Sequence, residues 1–265
     1  MRGKVYLVGA GPGDPELLTV KAARLLQMAD VVLHDALVPE SVLDLARPHA
    51  LLVDVGKRAG SKRITQAAIN RMLVQFVASS ATVVRLKGGD PLIFGRAAEE
   101  MAALRGAGVE FEIVPGITAA VASAAQAQIP LTNRESSSAV VFLTAQLKDG
   151  RMSTELARFA KTKATLAIYM PNGQYAAIAK EAMAAGLPAE TPCLVVSNAT
   201  RAGQELHWSE LLSLDRLTVT VSPSLLIIGD VARPREEFLS IVLAGTQPEG
   251  FLDSYQGLAP LATKT

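Results

Sequence analysis

Short apolar runs alternate along the chain with stretches in which apolar side chains recur every three or four positions. Residues 4–8, 31–33, 51–55, 82–86 and 110–114 are brief and rich in β-branched side chains, which predicts strands. The stretches between them predict helices. One is expected to open at Asp14-Pro15-Glu16, with an N-cap, a proline at the first helical position and an acid in the first turn. Leu18, Ala22, Leu25 and Leu26 then mark its apolar face. Another is expected after Thr65, with Ile69, Met72, Leu73 and Phe76 on one side. Strands alternating with helices imply an α/β domain with a mostly parallel sheet.

A polar run over residues 132–138 interrupts this pattern, and the alternation then resumes. Residues 140–144, 165–169, 193–197 and 224–229 predict strands, and 153–161, 175–185 and 235–242 predict helices. The expectation is therefore two α/β domains, over residues 1–131 and 132–244, followed by a loose tail from 245 to 265 that has few apolar anchors. The two halves share no sequence repeat.

Composition fits that picture and excludes several functions. The chain has 265 residues, 49% of them apolar and 19% charged, which is enough for two packed cores. A net charge of +1 gives no global basic field, so no nucleic-acid partner is expected. One cysteine, Cys193, and three histidines argue against a disulfide framework and against a metal site. Gly9 ends the first apolar run too early for a signal peptide. The longest charge-free stretch, 113–133, contains Pro115, Gly116, Gln126, Gln128 and Pro130 and is a poor membrane span. A soluble, cytoplasmic protein with no membrane partner is expected.

Three loops carry the candidate chemistry. Gly9-Ala10-Gly11-Pro12-Gly13-Asp14, Lys87-Gly88-Gly89-Asp90-Pro91 and Val114-Pro115-Gly116-Ile117-Thr118 each follow a predicted strand. Glycine permits close backbone approach, and Asp90 offers a carboxylate to an amine or a ribose hydroxyl. The first loop is not a dinucleotide fingerprint, because Asp14 stands where glycine is required and would repel a pyrophosphate. All three loops fall at the carboxyl ends of parallel strands, the edge where open α/β sheets bind ligands. Taken singly, each is equally consistent with a plain turn.

In this order the loops resemble the tetrapyrrole methylase family, whose members use S-adenosylmethionine. Further matching segments are Val31-Val32-Leu33-His34-Asp35, Val55-Gly56-Lys57-Arg58, Phe94-Gly95-Arg96, Ile129-Pro130-Leu131-Thr132-Asn133-Arg134, Ile168-Tyr169-Met170 and Asn198-Ala199-Thr200-Arg201. The resemblance spans about residues 4 to 242. It implies two α/β domains with the methyl donor in the cleft between them, and a homodimer. It implies donor contacts from Pro12, Gly88, Gly89, Asp90, Ile93, Thr118, Ala119, Met170 and Ala199. It also implies Asp35 as proton acceptor and Lys57 as proton donor; Arg96 and Arg134, in matching segments, suit the carboxylates of a tetrapyrrole substrate, and Glu99, three positions on, could orient Arg96 or simply pair with it on the surface. The implied reaction is C-methylation of uroporphyrinogen III at C2 and C7 to precorrin-2, in sirohaem or cobalamin biosynthesis. A methylase of a later precorrin and a non-catalytic tetrapyrrole-binding relative remain open alternatives. The family often has two glycines where this chain has Ala97-Ala98; in a helix, each alanine gains about 1 kcal/mol over glycine.

Overall fold

The computed structural model describes residues 3–56, 64–145 and 155–234. Lys57, Arg58, the first residues of the expected helix over 153–161, the expected helix over 235–242 and the tail from 245 to 265 lie outside the described residues. The first sheet is parallel and has five strands: β1 (Lys4–Gly9), β2 (Val31–His34), β3 (Leu51–Asp54), β4 (Thr82–Lys87) and β5 (Glu110–Val114), in the order β3-β2-β4-β1-β5. The three loop-bearing strands, β4, β1 and β5, are therefore neighbours. Helix α1 (Val20–Met28) covers one face of the sheet through Ala22, Leu25 and Leu26. Helices α3 (Gln66–Ser79) and α4 (Ala97–Gly106) cover the other through Ile69, Leu73, Val77 and Leu104, and the short α2 (Glu40–Leu43) buries Val42.

Strand positions agree with the apolar pattern to within one residue at each end. The first helix does not. Asp14 caps only a single 3-10 turn, Pro15–Leu17, by accepting from the Glu16 amide at 2.9 Å. Leu18 is extended, and the α-helix starts after Thr19, whose hydroxyl accepts from the Ala22 amide at 3.1 Å. Two N-cap signals stand in tandem, and the second one starts the long helix. Thr65 caps α3 as expected, accepting from the Ala68 amide. Ala97 and Ala98 are the first two residues of α4, so their methyl groups favour the helix.

The second sheet is mixed. Its strands β6 (Val140–Thr144), β7 (Thr165–Tyr169), β8 (Pro192–Ser197), β9 (Glu205–Glu210) and β10 (Ser224–Ile228) run in the order β6-β7-β10-β8-β9. Only β6 and β7 pair in parallel; β10 is antiparallel to both of its neighbours, and β8 is antiparallel to β9. Helix α7 (Tyr175–Ala184), the short α6 (Leu156–Phe159) and the 3-10 segment Leu211–Arg216 cover one face. The other face receives α5 (Ala119–Gln126), whose Ala120 and Ala124 pack on Ala167, Leu194 and Ile227. The chain thus leaves the first sheet at β5 and lays its next helix on the second. The loops after β5 and β7 are held together at that crossing.

Candidate active site

The glycine loops meet one another. Gly89 and Gly11 exchange backbone hydrogen bonds at 2.8 and 3.2 Å. A Cβ on Gly9 would lie 2.6 Å from the Gly89 carbonyl oxygen, and one on Gly116 would lie 2.4 Å from it. Any side chain at Gly9 or Gly116 would push the loops apart. These two glycines therefore serve loop-on-loop packing, whereas Gly88, where a Cβ would come 3.2 Å from Leu37 Cβ, and Gly89 line the cleft above. Asp90 fastens the same junction: its carboxylate accepts from the Leu92 amide at 2.8 Å and from the Gly116 amide at 3.0 Å.

Above the junction lies a cleft between the two sheets, about 970 Å³ with its open mouth included. The first half of the chain lines it with Pro12, Gly88, Gly89, Asp90, Ile93, Thr118 and Ala119, and the second half with Met170 and Ala199. All nine residues expected to hold a methyl donor thus face one cavity. Asp35 lies on its edge. The Ser123 hydroxyl, fully buried in the same wall, has no hydrogen-bond partner among the described residues. An orphaned buried hydroxyl, a half-free carboxylate and apolar walls suit a ligand with an adenosyl part and an amino-acid part, such as S-adenosylmethionine.

Side chains that sequence reasoning passed over bind the two halves. Tyr169 ends β7, and its hydroxyl meets Thr118 Oγ1 at 2.6 Å and accepts from the Ala120 amide at 3.2 Å. Its ring packs against Phe94 at 5.0 Å and Phe142 at 5.8 Å, and burial raises its pKa. Arg201, in the turn after β8, donates to the carbonyls of Pro12 at 2.8 Å and Leu37 at 2.6 Å. Its stem fills the space beside Gly13, where a Cβ would come 2.4 Å from Nε. Burial lowers the Arg201 pKa, as expected for a cation held by carbonyls alone. The Asp14 amide donates to the Thr200 hydroxyl at 3.2 Å beside it. Phe94, Arg96, Met170 and Thr200, all on the rim, have left-handed φ between 49° and 66°. Each costs on the order of 1 kcal/mol or more, held in place by the surrounding contacts.

A second basin of about 850 Å³ adjoins the cleft. Asp35, Leu37, Lys87, Phe94 and Gly95 line both cavities, and Arg96 lines the basin alone. Asp35 is paired with Arg85, which in turn is paired with Glu100 at 3.0 Å. Glu99 holds the Arg96 guanidinium through two bonds of 2.7 Å, on the exposed side of α4. Arg134 is in an exposed turn closed by Asn133 and Ser137 and lines neither cavity. Gly56, the last residue before Lys57, sits against the backbone of Ala36, next to Asp35.

Comparison with known proteins follows this geometry. Residues 4–214 match the family model for tetrapyrrole (corrin/porphyrin) methylases. The chain is 42% identical over 255 residues to a siroheme synthase of Nitrosospira multiformis, covering 95% of this chain and 53% of that one. It is 46% identical over 232 residues to a siroheme synthase of Psychrobacter cryohalolentis, covering 86% and 44%. The chain thus spans about half the length of the curated relatives it matches. The solved uroporphyrin-III C-methyl transferase of Thermus thermophilus, complexed with S-adenosyl homocysteine, superposes with a TM-score of 0.77 at 41% identity, over 87% of this chain and 94% of that one. A cobalt precorrin-4 methyltransferase superposes with 0.78 at 32% identity, over 87% and 96%.

Proposed function

The chain belongs to the tetrapyrrole methylases, and from that premise we propose that it is an S-adenosylmethionine-dependent uroporphyrinogen-III C-methyltransferase making precorrin-2. The observation that carries this reading is the meeting of the donor-type cleft and an acid- and base-lined basin at Asp35. Identity favours this substrate over a later precorrin, being 41% to the uroporphyrin enzyme and 32% to the precorrin-4 enzyme. The homodimer that the family resemblance implies and the cytoplasmic setting expected from the sequence remain part of the proposal. Among the described residues, no helix is long and apolar enough to cross a membrane.

S-adenosylmethionine, when bound, supplies a methyl group already activated on a sulfonium. The protein's task is then largely positioning. Gly88, Gly89 and Ile93 wall one side of the donor cleft, and Met170 and Ala199 the other. Asp90 has lone pairs left for a hydroxyl or amine after serving two amides. Thr118 and Ala119 place the positive end of α5 at the cleft, which suits the donor's carboxylate. The macrocycle lies over the basin, against the exposed Phe94 ring and the Arg96 guanidinium, with Glu99 fixing that guanidinium. Methylation makes the attacked carbon quaternary, with no hydrogen of its own, and leaves the macrocycle cationic, so a proton must leave from another ring position, a bridging carbon or a pyrrole nitrogen. Asp35, on the boundary of the two cavities, accepts it, while Arg85 keeps the carboxylate aimed. Lys57, next in sequence after Gly56, is the candidate proton donor.

The test is anaerobic incubation of the purified protein with methyl donor and uroporphyrinogen III, followed by mass spectrometry. Two added methyl groups are expected. No added methyl on this substrate, with methylation of a later precorrin instead, would move the assignment to the alternative methylase.

A further inference from the structure

On β4 the phase that faces α3 and α4 runs Val83, Arg85, Lys87, so two cations enter a position that a parallel sheet normally fills with apolar residues. Both are nearly solvent-free, at 2% and 3%, and Glu100 of α4 is at 0%. Buried charges persist only when paired. Arg85 is fully engaged: Nε to Glu100 at 3.0 Å, Nη1 to the Leu33 and Leu86 carbonyls at 3.3 and 3.1 Å, and Nη2 to Asp35. Lys87 is not. Its described partner is the Glu100 carboxylate at 3.0 Å, an oxygen it shares with Arg85 and with Gln66 at 3.1 Å. An ammonium carries three donors. Lys87 lines both cavities at their boundary. Its stem occupies that place because residue 95 is glycine; a Cβ there would lie 3.1 Å from Lys87 Cε. Burial, and then Arg85, lower the Lys87 pKa.

We propose that Lys87 binds the acetate carried by the very carbon that is methylated. This rests on the reading of the substrate given above. In uroporphyrinogen III each pyrrole bears one acetate and one propionate, and C2 and C7 both bear acetates. A ring carbon turned toward the donor cleft brings its own acetate to the boundary of the cavities, where Lys87 lies. Arg85 and Lys87 balance Asp35 and Glu100, so the acetate adds one net negative charge opposite the sulfonium. A propionate-bearing carbon would place its carboxylate one methylene farther away. Lys87 thereby selects the acetate-bearing carbon within a pyrrole, C2 over C3 and C7 over C8.

The test pairs a protein change with a substrate change. Coproporphyrinogen III keeps the propionates and replaces each acetate with methyl. Dissociation constants for both porphyrinogens are measured anaerobically on protein loaded with S-adenosylhomocysteine. The variants are Lys87→Met and the charge-balanced double variant Lys87→Met/Glu100→Gln, which avoids an unpaired buried carboxylate. S-adenosylhomocysteine affinity within twofold of wild type confirms that each is folded. Wild type should prefer uroporphyrinogen III at least tenfold, and the double variant should lose about tenfold of that preference. An equal preference in wild type and variant, or none in wild type, overturns the role of Lys87 while leaving the methyltransferase reading intact. Wild type that binds neither macrocycle would count against that reading itself.

Discussion

Asp35 and Asp90 both reach the donor cleft, and their surroundings give them different tasks. Asp90 spends its oxygens on the Leu92 and Gly116 amides, so it holds two loops as well as facing the ligand. Asp90→Ala should weaken S-adenosylhomocysteine binding by about tenfold or more, read by calorimetry, since charge-assisted bonds are worth roughly 1.5–3 kcal/mol. Asp35 touches neither loop junction and faces the basin. Asp35→Asn should lower turnover by about 10²-fold and leave product affinity nearly intact. Normal turnover in that variant would remove Asp35 as the base. Arg96 and Arg134 should likewise separate: Arg96→Lys loses the planar fork and should raise the substrate KM several-fold, and Arg134→Lys, outside both cavities, should raise it less. The motif residues around these cavities were legible in sequence because each sits in a short, distinctive string. Tyr169 and Arg201 were given no role of their own, because their partners lie 49 to 189 positions away, and Lys87 none, because its partner Glu100 sits 13 positions on in a different element. One signal was available: two cations in the inward phase of a central strand.

Among elements, strand identity was legible because β-branched runs leave few alternatives. Helix starts were less so. Asp14 and Thr19 are both good caps, and only packing decides that the α-helix follows the second. Helix α5 was invisible because Ala119–Gln126 is nearly all small residues, with no periodic large face, and it uses that smallness to lie close on the second sheet. Strand β9 was missed because its sequence, Glu205–Glu210, is polar at an edge. The sheet itself carries a pH-dependent tie. Asp30, before β2, accepts from the Thr82 amide at 2.8 Å and pairs with Arg47, and the amide bond first and Arg47 after it lower its pKa. A carboxyl depressed in the folded state contributes stability above its unfolded pKa and loses it as pH falls through the folded value. The stability gap between wild type and Asp30→Asn should therefore be full at neutral pH and shrink as pH drops below about 4. A gap that is constant from neutral pH to about pH 2 would show that the carboxylate charge is not what holds β2 to β4.

At the scale of the whole molecule, the two sheets form one site because few side chains cross between them. Arg201 is the most extended of these, reaching two loops of the first sheet from the turn after β8. Arg201→Met should weaken S-adenosylhomocysteine binding about tenfold and speed amide exchange at residues 10–14 and 36–38, with helix and strand content unchanged. Unaltered exchange there would show that Tyr169 and α5 suffice to join the halves. Two α/β units could be read from the sequence; the antiparallel β10 and the crossing at α5 could not, since both depend on how distant segments pair. The central claim is that the methyl group goes to carbon, at two acetate-bearing positions of one macrocycle. The most direct measurement is carbon NMR of the product formed from uroporphyrinogen III and donor enriched with ¹³C in its methyl group. Two enriched methyl signals attached to quaternary C2 and C7 are predicted. Label on a carboxylate oxygen, a ring nitrogen or a bridging carbon would contradict the account.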